Sequence, residues 1–288
     1  MTTRVDPTRV SRADAARALT ARPAAWVEVG LTAPLFLLYH IGIVFLDVRN
    51  GADFLTQWLM VLSKGDPLRY VGLTFAVFVV FVGVFAYAGR GQVFVARKFL
   101  QMLIEGAVYA FAMAMIGSRV VSAVFGAMWR LDLPPMVPDT LEESLKLLPD
   151  TLPLPVASGA AGGGPFVGFV MSLGAGFYEE LVFRVILFGA GLKLILLLFA
   201  KRKIGLFGPE QRRWDFGSVM AALCWALICA AIFSGVHYIG SLGDPFSLRS
   251  FVYRFVLGLV LTLIFVTRGF AVAVWTHALY DVWVMVLS

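Results

Sequence analysis

The sequence predicts an all-α fold, a polytopic bundle of about seven or eight transmembrane helices. Three observations carry that expectation. Hydrophobic residues make up 60% of the 288-residue chain and charged residues only 15%, against about 45–50% apolar usage in soluble domains. Apolar runs recur at 26–46, 70–88, 99–127, 165–200, 216–239, 250–267 and 270–287, most of them near the roughly 20 residues that cross a hydrocarbon core of about 30 Å. Positive charge gathers in alternate connections between those runs, the pattern that orients membrane helices.

Residues 1–25 carry Arg4, Arg9, Arg12, Arg17 and Arg22 against Asp6 and Asp14, with no apolar core before them. That pattern argues against a cleaved secretory signal and for a cytoplasmic N-terminal segment. The next three runs make an N-terminal membrane region, 26–130. Within it His40 follows Tyr39 with no acidic neighbour and reads as structural or interfacial. Phe54 to Leu62 is too short to cross and reads as an interfacial helix, and counting it, or dividing the long 165–200 run, gives the eighth element.

Arg90, Arg97 and Lys98, the run Lys201-Arg202-Lys203 with Arg212-Arg213, and Arg268 then share the cytoplasmic side with the N-terminus. The segment after Asp47 is balanced, and Asp132, Asp139, Glu142, Glu143 and Asp150 outweigh Lys146, so both connections face outward. The chain is expected to be an integral protein of the inner or plasma membrane, N-terminus in and C-terminus out. Pro134, Pro135, Pro138, Pro149, Pro153 and Pro155, followed by the glycine-rich 159–164, predict a flexible extracytoplasmic loop over 131–164 with a short helix at 139–148. It reads as a lid, a substrate-entry loop or a passive linker. The last four runs form a C-terminal membrane region, 165–288. The net charge of +6 is read through the membrane loops, and no nucleic-acid partner is expected. Cys224 and Cys229 lie in one apolar run and read as packing residues rather than a disulfide or a metal site.

A short list of polar groups stands out within the C-terminal runs: Glu179, Glu180, Arg184, His237, His277 and Asp281. Ionisable groups in a membrane span are costly and mark function. Residues four apart share a helix face, so Glu180 pairs with Arg184, Phe233 with His237, and His277 with Asp281. Glu179 has no such local partner.

Their depths also match. Glu179 precedes Ala200 by 21 residues and His237 follows Phe216 by 21, so at about 1.5 Å per residue both lie at similar height around the basic connection. His277 is eight residues past Gly269, about 12 Å into the membrane. The three motifs are therefore expected to meet within the inner half of the bilayer. A carboxylate and an imidazole converging there make a general base able to activate water.

Glu179-Glu180-x-x-x-Arg184, Phe233-x-x-x-His237 and His277-x-x-x-Asp281, in this order on successive apolar helices, resemble the motifs of the CAAX protease and bacteriocin-processing family (CPBP, also called Abi). The resemblance covers about residues 165–288. It implies an intramembrane endopeptidase of the type II CAAX prenyl protease kind, in which Glu179 and His237 activate the hydrolytic water. His277 and residue 281 would stabilise the oxyanion, while Glu180, Arg184 and Phe233 would support them. The implied partners are the lipid bilayer and a membrane-anchored protein or peptide, whether a CAAX-like C-terminus, a leader or a sorting peptide.

Asp281 departs from the Asn found in well-understood members. An ionised Asp cannot donate to an oxyanion, which leaves it protonated, orienting His277 or serving a metal. No cofactor is favoured, although Glu179, His237, His277 and Asp281 are also N and O donors of the type Zn²⁺ takes. Two other classes compete with the protease: a proton-coupled transporter and a non-catalytic immunity-type membrane protein. A serine protease built on Ser234 leaves the acidic pair unexplained.

Overall fold

The computed structural model describes residues 25–46, 49–88, 97–130, 164–199, 216–240 and 243–287. Among them are eight helices and no strand. The expectations for residues 1–24, for the loop up to residue 163 and for the basic connection 201–215 lie outside the described residues.

Helix α1 (Ala25–Gly42) runs into a 3₁₀ turn, Ile43–Phe45. The short α2 (Leu55–Ser63) buries Thr56, Leu59 and Ser63 and exposes Trp58, Val61 and Leu62, the one-sided pattern expected of an interfacial helix. Then come α3 (Pro67–Ala88) and α4 (Arg97–Arg130). The 34 residues of α4 extend about 51 Å and overrun the 99–127 run at both ends.

The 165–200 run folds as one rod, α5. It begins as α-helix (Gly164–Gly174), passes through π-helical segments (Ala175–Glu179 and Leu181–Ala190) and ends as α-helix (Gly191–Phe199). Helices α6 (Phe216–Val236), α7 (Leu248–Arg268) and α8 (Phe270–Val282) follow, α8 ending in a π turn, Trp283–Leu287.

Six helices, α1 and α4 to α8, are long and apolar enough to cross a membrane. The expected 70–88 span is helix α3, whose described apolar part, Pro67–Gly83, is shorter than those six. Phe75, Phe111, Leu197, Leu223 and Leu263 stay exposed on their helices, as side chains facing lipid would.

Helix α8 is central, packed against α1, α4, α5 and α7. Polar contacts fix its entry. Arg268, just before it, forks onto Glu105 of α4 (Nη2 to Oε1, 2.7 Å; Nε to Oε2, 3.1 Å). The Phe270 N–H donates to buried Glu28 Oε2 of α1 at 2.8 Å, satisfying one of the orphan donors of the first turn. Trp275 Nε1 donates to the Leu31 carbonyl at 2.9 Å.

Small residues then let α5 approach. A Cβ at Gly176 would stand 2.6 Å from the Ala278 methyl and 2.9 Å from the Val274 carbonyl, so only glycine permits the backbone contact that brings the acidic pair to α8.

Candidate active site

The π-helical stretches of α5 flank the acidic pair: Glu179 closes the first and Glu180 precedes the second. An i→i+5 segment changes the angular step between neighbouring side chains, and such segments recur at functional sites. Here the two carboxylates reach different partners.

Glu180 is fully buried, and each of its oxygens faces a partner. Oε2 lies 3.2 Å from Arg184 Nε, the expected i,i+4 pair, and Oε1 accepts from His277 Nδ1 at 2.8 Å. The second contact was not legible from spacing. The Arg184 guanidinium also covers the Phe233 ring at 4.2 Å, within range of a cation–π contact. Phe233 in turn packs edge-on to His237 (5.1 Å) and His277 (6.0 Å). It is the aromatic floor on which both imidazoles stand.

Glu179 is 13% exposed and faces His237, with Oε2 3.8 Å from Nε2. Each group is held from behind. Asn50 Nδ2 donates to Glu179 Oε1 at 2.9 Å, and the His237 Nδ1–H donates to the Phe233 carbonyl at 2.8 Å. With Nδ1 as the donor, neutral His237 presents its Nε2 lone pair toward Glu179. His277 turns Nε2 toward Asp281 Oδ2 at 3.5 Å, again an i,i+4 pair.

All three motifs therefore converge. Glu179, His237, His277 and Asp281 line one cavity of about 510 Å³, while Glu180 and Arg184 stand behind it.

Among the further polar residues that line that cavity are Asn50 and Arg254, which the motif reading does not include. Asn50 comes from the segment after α1, 129 residues from Glu179. Its Oδ1 accepts from the Ala52 N–H at 2.8 Å, which turns the Nδ2 donor to Glu179. Its own N–H donates to Tyr39 Oη at 3.2 Å, and Tyr39 donates to Asp53 Oδ2 at 2.8 Å. The signal was the polar segment itself, Arg49-Asn50, directly following an apolar run. The second is Arg254 of α7, buried and paired with Asp244. The rule that selects Glu179, an ionisable group inside an apolar run, selects Arg254 as well.

His40 is structural, as its context suggests. It is buried, and its two nitrogens share hydrogen bonds of 2.6 Å with the hydroxyls of Tyr70 and Tyr178, bracing the residue that precedes Glu179. Cys229 is buried in the α5–α6 packing, whereas Cys224 is exposed.

The four side chains that could hold a metal ion face one another in pairs, Glu179 with His237 and His277 with Asp281. Both His277 nitrogens are turned to carboxylates, and among the described residues no group of three or more His, Cys, Asp or Glu side chains is arranged to hold one.

No curated protein and no solved structure matches the chain. Residues 162–283, the region that holds all three motifs, match the family model described as type II CAAX prenyl endopeptidase, Rce1-like. Through that region the chain is similar to the Rce1-like type II CAAX prenyl endopeptidases, which are peptide-bond hydrolases.

Proposed function

We propose that the protein cleaves a membrane-anchored substrate with a water molecule activated jointly by Glu179 and His237, without a metal ion. One observation carries this reading: Glu179 Oε2 and His237 Nε2 face each other at 3.8 Å in a cavity, each anchored through its other polar atom. One water can lie within hydrogen-bond reach of both. Asn50 and the Phe233 carbonyl keep the two groups from collapsing onto other partners, so the geometry is preorganised for the reaction.

Water attacks the scissile carbonyl as its proton passes to Glu179, and Glu179 returns that proton to the departing amine. Glu180 fixes the His277 ring through Nδ1, in the way a buried carboxylate orients the histidine of a hydrolytic triad. Nε2 then points toward the cavity beside Asp281, which fits Asp281 as an orienting group rather than a donor.

The cavity wall supports a direction of approach. Arg49 to Ala52 follow α1, and Ile239, Gly243 and Asp244 follow α6; these connections lie at the opposite helix ends from the basic clusters at 90–98 and 201–213. With the N-terminus cytoplasmic by the positive-inside rule, the mouth faces outward, and because His237 directly follows α6 (Phe216–Val236) the site then lies toward the outer helix ends rather than in the inner half of the bilayer that depth counting leads one to expect. The substrate is then an exported, membrane-anchored segment, such as a leader or sorting peptide.

In a background lacking Cys224 and Cys229, Ile239→Cys is expected to react with a membrane-impermeant maleimide on intact cells. Labelling only after lysis contradicts the orientation. Comparing membrane proteins of cells carrying wild type and Glu179→Ala tests the substrate class: accumulating precursors identify it, and identical profiles contradict the protease mechanism. Insensitivity to chelators is expected, whereas loss of cleavage on chelation, restored by zinc, overturns the metal-free mechanism.

A further inference from the structure

We propose that Arg254 is a catalytic residue, the donor that receives the oxyanion of the tetrahedral intermediate, with Asp244 as its positioning residue; this rests on the Glu179–His237 mechanism above. Among the described residues, two buried side-chain atoms belonging to cavity-lining residues lack a hydrogen-bond partner: Glu179 Oε2 and Arg254 Nη1. One is an acceptor and the other a charged donor. Peptide hydrolysis needs that pair, a base for the water and a donor for the oxygen on which negative charge develops.

The motif residues leave room for a further donor. His277 Nδ1 is held by Glu180 at 2.8 Å, and Nε2 faces Asp281 at 3.5 Å. Asp281, when ionised, only accepts. Arg184 is buried behind the cavity with Glu180. Arg254 brings a guanidinium to the cavity that His237 and Asp281 also line.

Arg254 is also built to stay in place. Its Nη2 is bound by Asp244, which follows the His237 turn and whose N–H donates to the His237 carbonyl at 2.9 Å. The guanidinium lies 5.4 Å from the Tyr238 ring centroid. A guanidinium held through one nitrogen can offer the other to a ligand in a fixed plane, whereas the Lys ammonium is a point charge on a flexible stem.

In the reaction, the water oxygen bonds to the carbonyl carbon while one water proton moves to Glu179. The C=O π pair moves onto oxygen and is met by the Arg254 Nη1–H. Collapse restores the carbonyl and breaks the C–N bond, and Glu179 returns the proton to the amine. The balance is peptide plus water giving a carboxylic acid and an amine, and Arg254 keeps its protons throughout.

The test uses full-length protein in nanodiscs with the precursor that accumulates under Glu179→Ala. Arg254→Met is expected to lower kcat by about 10²–10³ with KM within about twofold, the signature of a contact made only in the transition state. Arg254→Lys, which keeps the charge and serves where the Met variant does not fold, is expected to lose at least about tenfold in kcat at unchanged KM. A folded Arg254→Met or Arg254→Lys variant with wild-type kcat overturns the proposal, as does a raised KM with kcat intact, which would make Arg254 a ground-state anchor. If Glu179→Gln also cleaves, the water-activation mechanism fails first; if only the Arg254 variants do, the donor assignment alone fails.

Discussion

Glu180 has two partners, and substitution can separate them. Glu180→Gln leaves the Arg184 charge buried, 1% exposed, without its carboxylate at 3.2 Å. Removing one member of a buried ion pair costs about 3–5 kcal/mol, or about two to four powers of ten in the ratio of folded to unfolded protein. Arg184→Met strands Glu180 in the same way and is expected to cost a similar amount. Combining them removes both charges, so the double variant should be more stable than either single one, with a coupling of at least about 2 kcal/mol. Turnover should not follow. The 2.8 Å contact between Glu180 and His277 Nδ1 loses its charge in Glu180→Gln and stays lost in the double variant. The assay is reversible unfolding in mixed micelles alongside cleavage per folded molecule. Additive destabilisation, or a double variant with wild-type turnover, refutes the two-partner account.

Two further outcomes follow from the same geometry. Asn50→Ala removes the 2.9 Å bond to Glu179 Oε1; hydrogen bonds to charged groups are worth about 1.5–3 kcal/mol, so kcat should fall by about tenfold or more in single-turnover cleavage. Gly176→Ala places a methyl 2.6 Å from that of Ala278, and overpacking should cost about 1–3 kcal/mol in unfolding measurements, with lower turnover as α5 and α8 separate.

The motifs were legible because each is local. Glu180 with Arg184 and His277 with Asp281 are i,i+4 pairs on apolar helices, and the structure places both pairs in contact. Depth counting brought Glu179 and His237 to similar height, and they face each other. What spacing could not supply was contact across the fold. The bond from Asn50 joins a connection to a helix 129 residues later, and the tie between Glu180 and His277 depends on how the π-helical segments turn α5 toward α8. Arg254 was visible as a charge in an apolar run, yet its partner Asp244 lies ten residues earlier in a connection, outside any helical periodicity. Glu28 and Glu105 show the same limit: both reach across the fold to the entry of α8, through Phe270 and Arg268.

The most direct measurement is cleavage of the accumulated precursor by Glu179→Gln in nanodiscs, with unfolding followed on the same preparation. The account predicts loss of about 10³-fold or more in kcat, since the amide cannot take the proton from water, and an unfolding transition close to that of wild type, because the amide keeps the shape of the carboxylate and Asn50 can still donate to its oxygen. Retained cleavage by a folded Glu179→Gln protein contradicts it.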